Sequence, residues 1–91
     1  DSRATAAQLA VAEAAWAASE GGVREAERAH EIALLRHREG LAIQLELSDA
    51  RLALESARAE RARAARDLLV ERLRSALLPE LPPSGRMISS R

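Results

Sequence analysis

One interruption governs what this chain can fold into. Arg38-Glu39-Gly40-Leu41-Ala42 separates two long runs of helix-forming residues. Glycine just past a periodic run is the usual left-handed helix stop, because it has no Cβ to clash at positive φ. A second periodic run begins within a few residues, so the chain must fold back on itself as an antiparallel hairpin. The expected plan is a first long helix over 1–39, a tip over 40–42 and a second long helix over 43–78. Pro79 ends that helix. The stretch 79–91, with Pro82, Pro83, Gly85 and three serines, reads as a disordered tail.

Composition agrees with extended helices rather than a thick globular core. Trp16 is the one aromatic residue, and much of the apolar fraction is alanine. Ala, Glu, Arg and Leu dominate, which is the composition of coiled coils. Buried alanine contributes little transfer energy and mainly permits close helix approach. The formal net charge is zero, so no basic excess argues for nucleic acid. Lack of salt-sensitive retention on DNA or RNA would retire a nucleic-acid-binding reading. There is no cysteine, which removes thiol chemistry and disulfides. No apolar run approaches the roughly 20 residues that span a bilayer as a helix. The chain begins with Asp1 rather than Met, as expected of a piece of a longer protein.

Along the first arm, alanine is dense from Ala4 to Ala18, and Leu9, Val11 and Trp16 supply the bulk. Gly21-Gly22 costs about 2 kcal/mol relative to two alanines inside a helix. The favoured reading is a tolerated kink within one helix; the alternative is a break between two shorter helices. From Val23 the spacing is heptad-like: Val23, Ala26, His30, Ala33 and His37 alternate steps of three and four. Leu47, Ala50, Leu54, Ala57, Arg61, Ala64 and Leu68 repeat the pattern on the second arm. There a further set, Leu45, Leu52, Ala59, Arg66 and Leu73, recurs every seven residues on what reads as an adjacent face. Two seams on one helix call for two neighbours, which favours a larger array of helices. Glu20–Arg24, Arg28–Glu31, Glu60–Arg63, Arg63–Asp67 and Glu71–Arg74 are spaced for helix-surface ion pairs. Each arm of about 35 residues spans roughly 50 Å at 1.5 Å per residue.

The passage Leu35-Arg36-His37-Arg38-Glu39-Gly40-Leu41-Ala42-Ile43-Gln44-Leu45-Glu46-Leu47-Ser48-Asp49-Ala50-Arg51 resembles the final hairpin turn of the TolC-like outer membrane efflux protein family. In that family a tyrosine, two residues, glycine and a short loop lead into Leu-Asp/Glu-Val/Leu-x-Asp/Asn-Ala. Ser75-Ala76-Leu77-Leu78 is similar to the ending of the family's last long helix. The resemblance covers about half of the chain. It implies an all-α hairpin that belongs to a larger α-helical barrel, in a homotrimer at the periplasmic side of the bacterial outer membrane. The outer membrane would be entered only through barrel strands missing from this chain. Partners would be a periplasmic adaptor (membrane fusion) protein and an inner-membrane pump, in type I secretion or multidrug efflux.

Carried over residue by residue, Arg38, Glu39, Gly40, Leu41 and Ala42 would form the adaptor-facing tip. Glu46 and Asp49 match positions where members place two acids lining the tunnel's narrow end. Their i,i+3 spacing independently sets both carboxylates on one helix face, where rings of acid would favour cations. His37 stands where the family usually has tyrosine. Ala42 stands where some members have arginine, and Ile43 replaces a Ser or Thr helix N-cap.

The other candidates read as structural. His30 and His37 lie seven apart without a third ligand at i+3 or i+4, so they are seam histidines rather than a metal site. Nothing near Glu46 and Asp49 suggests a catalytic pocket, so no enzyme activity and no cofactor are expected. Arg58, Arg61, Arg63 and Arg66 are interleaved with acids and read as a salt-bridged face. Trp16 reads as a packing anchor. The runner-up function is a purely structural antiparallel coiled-coil assembly module, such as the hairpin of an adaptor protein.

Overall fold

The computed structural model describes residues 2–77; the expected tail over 79–91 lies outside the described residues. Two helices account for nearly all of it: α1, Ser2–Arg38, and α2, Gln44–Leu77. They lie side by side and antiparallel in a rod about 55 Å long. No strand occurs among the described residues. At the turn, α1 ends at Arg38 and α2 begins at Gln44, each one residue from the expected 39 and 43; the expected outer ends, 1 and 78, lie outside the described residues.

The interface follows the three-four alternation. With Val23 and Leu54 both placed at heptad position a, the a and d residues from Leu9 to His37 on α1 are buried or half-buried. Leu47, Ala50, Leu54, Ala57, Arg61, Ala64 and Leu68 do the same on α2. The buried set among the described residues is small: Ala12, Val23, Leu54, Ala64 and Leu68 along the seam, and Ala42 at the turn. Half of it is alanine, so the helices come close but bury little apolar surface per residue. Val23, at 1% exposed, is the best-covered side chain.

Gly21-Gly22 interrupts nothing, and α1 runs through both residues as one helix. The neighbouring seam residues Trp16, Ser19 and Val23 hold it in place, and the Ser19 hydroxyl donates to the Trp16 carbonyl at 2.7 Å. Tertiary packing of this turn offsets the local propensity cost.

The second α2 set differs from expectation in direction. Leu45, Leu52, Ala59, Arg66 and Leu73 occupy heptad position f, which points away from an a/d seam, and all five are exposed. Leu45 and Leu52 are 64% and 62% exposed. The set is therefore an outer stripe on the side opposite α1, rather than an adjacent extension of the seam. A helix with apolar residues on two opposite sides is suited to sit between two neighbours.

Candidate functional site

The tip is built by a Schellman motif. The Leu41 N–H donates to the Arg36 carbonyl at 2.7 Å, and the Gly40 N–H donates to the His37 carbonyl at 3.1 Å. These two bonds satisfy carbonyls that the end of α1 would otherwise leave unpaired. Gly40 has φ of 75°, and no other described residue has positive φ. Arg36 adds a clamp that sequence reasoning missed: its Nη2 donates to the Leu41 carbonyl at 3.1 Å. Arg36, His37 and Arg38 also put basic side chains in the last turn of α1, where the helix dipole is negative.

At α2 the Leu47 N–H donates to the Ile43 carbonyl at 3.3 Å, which makes Ile43 the N-cap. Its side chain has no oxygen to offer the free N–H groups. Glu46 is the one acid in the first turn of α2 and complements its positive end.

Of the five tip residues, Arg38, Glu39, Gly40 and Leu41 are exposed. Ala42 is not: at 8% exposed its methyl turns inward beneath the turn. The exposed surface of the tip therefore consists of Arg38, Glu39, Gly40 and Leu41, and Ile43 and Leu45 extend it along α2. Leu41 and Ile43 are 62% and 63% exposed, a concentration of apolar surface at the extremity of a rod.

Glu46 and Asp49 are both exposed and share one side of α2 by their spacing. His30 and His37 sit half-buried in the seam. Among the described residues no group of three or more His, Cys, Asp or Glu side chains could hold a metal ion. No described helix is long and apolar enough to cross a membrane.

The two flanks of the rod differ in charge. On one, the e positions carry Glu13, Glu20 and Glu27 on α1 against Arg51, Arg58 and Arg72 on α2. Glu27 and Arg58 meet there at 3.6 Å, the one interhelical ion pair among the described residues. On the other flank the g positions carry Ala15 and Gly22 on α1 against Glu60 and Asp67 on α2, and an open groove results. Arg63 pairs with Glu60, and Arg74 meets Glu71 at 3.2 Å. Asp67 lies 3.9 Å from Arg66 rather than pairing with Arg63. The spacings Glu20–Arg24 and Arg28–Glu31 yield no pair within 4 Å; exposed i,i+3 and i,i+4 partners gain too little to fix their side chains.

Compared with known proteins, the chain matches no family model, no curated protein and no solved structure.

Proposed function

We propose that this chain is a passive wall-and-tip segment of a larger helical assembly. In its specific form it is a periplasmic tunnel hairpin of a trimeric outer membrane efflux channel. The observation that carries the reading is the outer stripe of α2, exposed along the rod and running into the apolar tip at Leu41 and Ile43. A free-standing hairpin gains nothing from such a stripe, whereas a hairpin set among other helices buries it.

The form given to the assembly rests on the resemblance of residues 34–78. In it the α2 stripe meets a neighbouring helix, and Glu46 and Asp49 face a lumen at the narrow end. The exposed part of the tip, Arg38, Glu39 and Leu41, meets a periplasmic adaptor joined to an inner-membrane pump. Ala42 supports the turn from beneath. The pump supplies the energy, and the hairpin supplies rigidity and a docking point.

Two experiments test this. Sequencing the coding region around this segment is expected to reveal barrel strands and an earlier sister hairpin upstream; a reading frame that starts at α1 would overturn the channel. Cysteines placed at Glu46 and Asp49 are expected to cross-link between protomers across the lumen. Free labelling of both without any cross-link would favour the runner-up, a structural coiled-coil module whose acids face bulk solvent.

A further inference from the structure

The outer side of α2 is complementary to itself. Beside the f stripe, Ser48, Glu55, Ala62, Leu69 and Ala76 occupy heptad position b, three residues after each stripe position. Together the f and b rows repeat the three-four alternation of a seam, on the side of α2 turned away from α1. The four leucines of these rows, Leu45, Leu52, Leu69 and Leu73, are between 53% and 64% exposed. The a and d rows that α2 turns toward α1 carry three leucines, Leu47, Leu54 and Leu68. The outer side therefore offers at least as much apolar bulk as the side that already holds the hairpin together.

Two charges interrupt these rows, Glu55 at b and Arg66 at f, and both are exposed. Among the described residues Glu55 makes no ion pair, and Arg66 meets only its neighbour Asp67, at 3.9 Å through Nε. So exposed a contact gains little, and the guanidinium keeps further donors to give. A parallel copy would set Glu55 against Glu55 and Arg66 against Arg66, like charges inside a seam. We propose that two copies of this chain pair through the outer sides of their α2 helices, antiparallel about a two-fold axis between Glu60 and Arg61. That register sets Glu55 against Arg66 of the second copy, twice by symmetry. It also brings Leu52 against Leu69 and Ser48 against Leu73, and Ala59 meets Ala62 at the centre, where small side chains permit close approach. From Leu45 to Ala76 the contact spans about 48 Å. Both copies use the same face, so the assembly closes at two chains. The two α2 helices lie inside a layer of four, with the α1 helices outside. Along one edge Arg51 comes beside Arg72 of the second copy, a like-charge approach that weakens the pair.

This goes beyond the reading above and shares one part of it, a stripe that other helices bury. A tunnel neighbour would compete for the same face, so the two-fold pair is the form of the chain without channel partners. The test touches neither tip nor lumen, so its failure is distinguishable from a failure of the channel.

The test is sedimentation velocity on the 91-residue chain, with helicity followed by circular dichroism. At about 100 μM, where weak contacts are populated, the wild-type chain is expected to sediment as a dimer. Glu55→Arg alone and Arg66→Glu alone each place like charges in the seam and should weaken pairing at least tenfold. The double variant, Glu55→Arg with Arg66→Glu, restores the pair with its sense reversed and should recover the dimer. A parallel pair would gain nothing from that exchange. Arg51→Glu turns the edge contact with Arg72 into an ion pair and should tighten the dimer. All these positions are exposed and lie off the a and d rows, so the hairpin and its helicity should persist in every variant. A wild type that sediments as a monomer or a trimer overturns the proposal. So does pairing that survives either single reversal, a double variant that stays monomeric, or an Arg51→Glu chain that pairs no more tightly.

Discussion

At the scale of single residues, Gly40 decides the shape of the molecule. Its φ of 75° is open to glycine and costs other L-residues roughly 1–2 kcal/mol. No heavy atom would obstruct an added Cβ there, so the penalty for substitution is backbone strain alone. Gly40→Ala is therefore expected to lower unfolding stability by about 1 kcal/mol in a denaturant titration, with Gly40→Asn milder. A loss of 3 kcal/mol or more would mean that the turn also packs against something. Leu54, 6% exposed at the middle of the seam, tests the opposite kind of loss. Leu54→Ala should cost about 2–3 kcal/mol, a large fraction of what so thin a core can supply. Ala42 shows how a residue at the tip can serve the turn instead of a partner, because its side chain is the one that faces inward.

At the scale of elements, α1 ends well and α2 begins poorly. The Schellman bonds, Gly40 and the basic last turn all favour stopping α1 where it stops. Ile43 leaves the first N–H groups of α2 without a side-chain acceptor. Ile43→Asp is expected to raise the thermal midpoint, corresponding to about 1 kcal/mol of added stability. An unchanged midpoint would mean that water already satisfies those groups at no cost.

The element boundaries were legible because glycine and the heptads are local signals. So was the seam, since a and d positions follow from spacing alone. The direction of the second α2 stripe was harder to read. Seven-residue recurrence identifies a line along a helix but says which side it occupies only once the partner's face is known. The difference between the flanks was hidden for the same reason. Glu60 and Asp67 face small residues only because antiparallel pairing sets them against Ala15 and Gly22, and that register is a property of two helices together. At the tip, Gly40 and Leu41 could be placed from sequence, while the Arg36 clamp and the burial of Ala42 depend on the path of the turn.

At the scale of the whole molecule, the hairpin is a rod with one closed end, one open end and little buried surface between. Its sequence has more apolar positions than a two-helix interface can use, and the surplus lies on the side of α2 away from α1. The assembly proposed above would bury that surplus.

The position of Trp16 gives the rod a built-in reporter. It sits half-buried in the seam toward the open end, beside Leu68 and Leu69, many residues from the turn in either direction. Loop closure favours the contacts nearest Gly40, where the two strands of chain are separated by the fewest residues. Folding should therefore begin at the turn and zip outward, and opening should begin at the far end. Tryptophan emission is expected to shift to the red at a lower temperature than the loss of helical circular dichroism. Coincident transitions would instead mark the hairpin as a single cooperative unit.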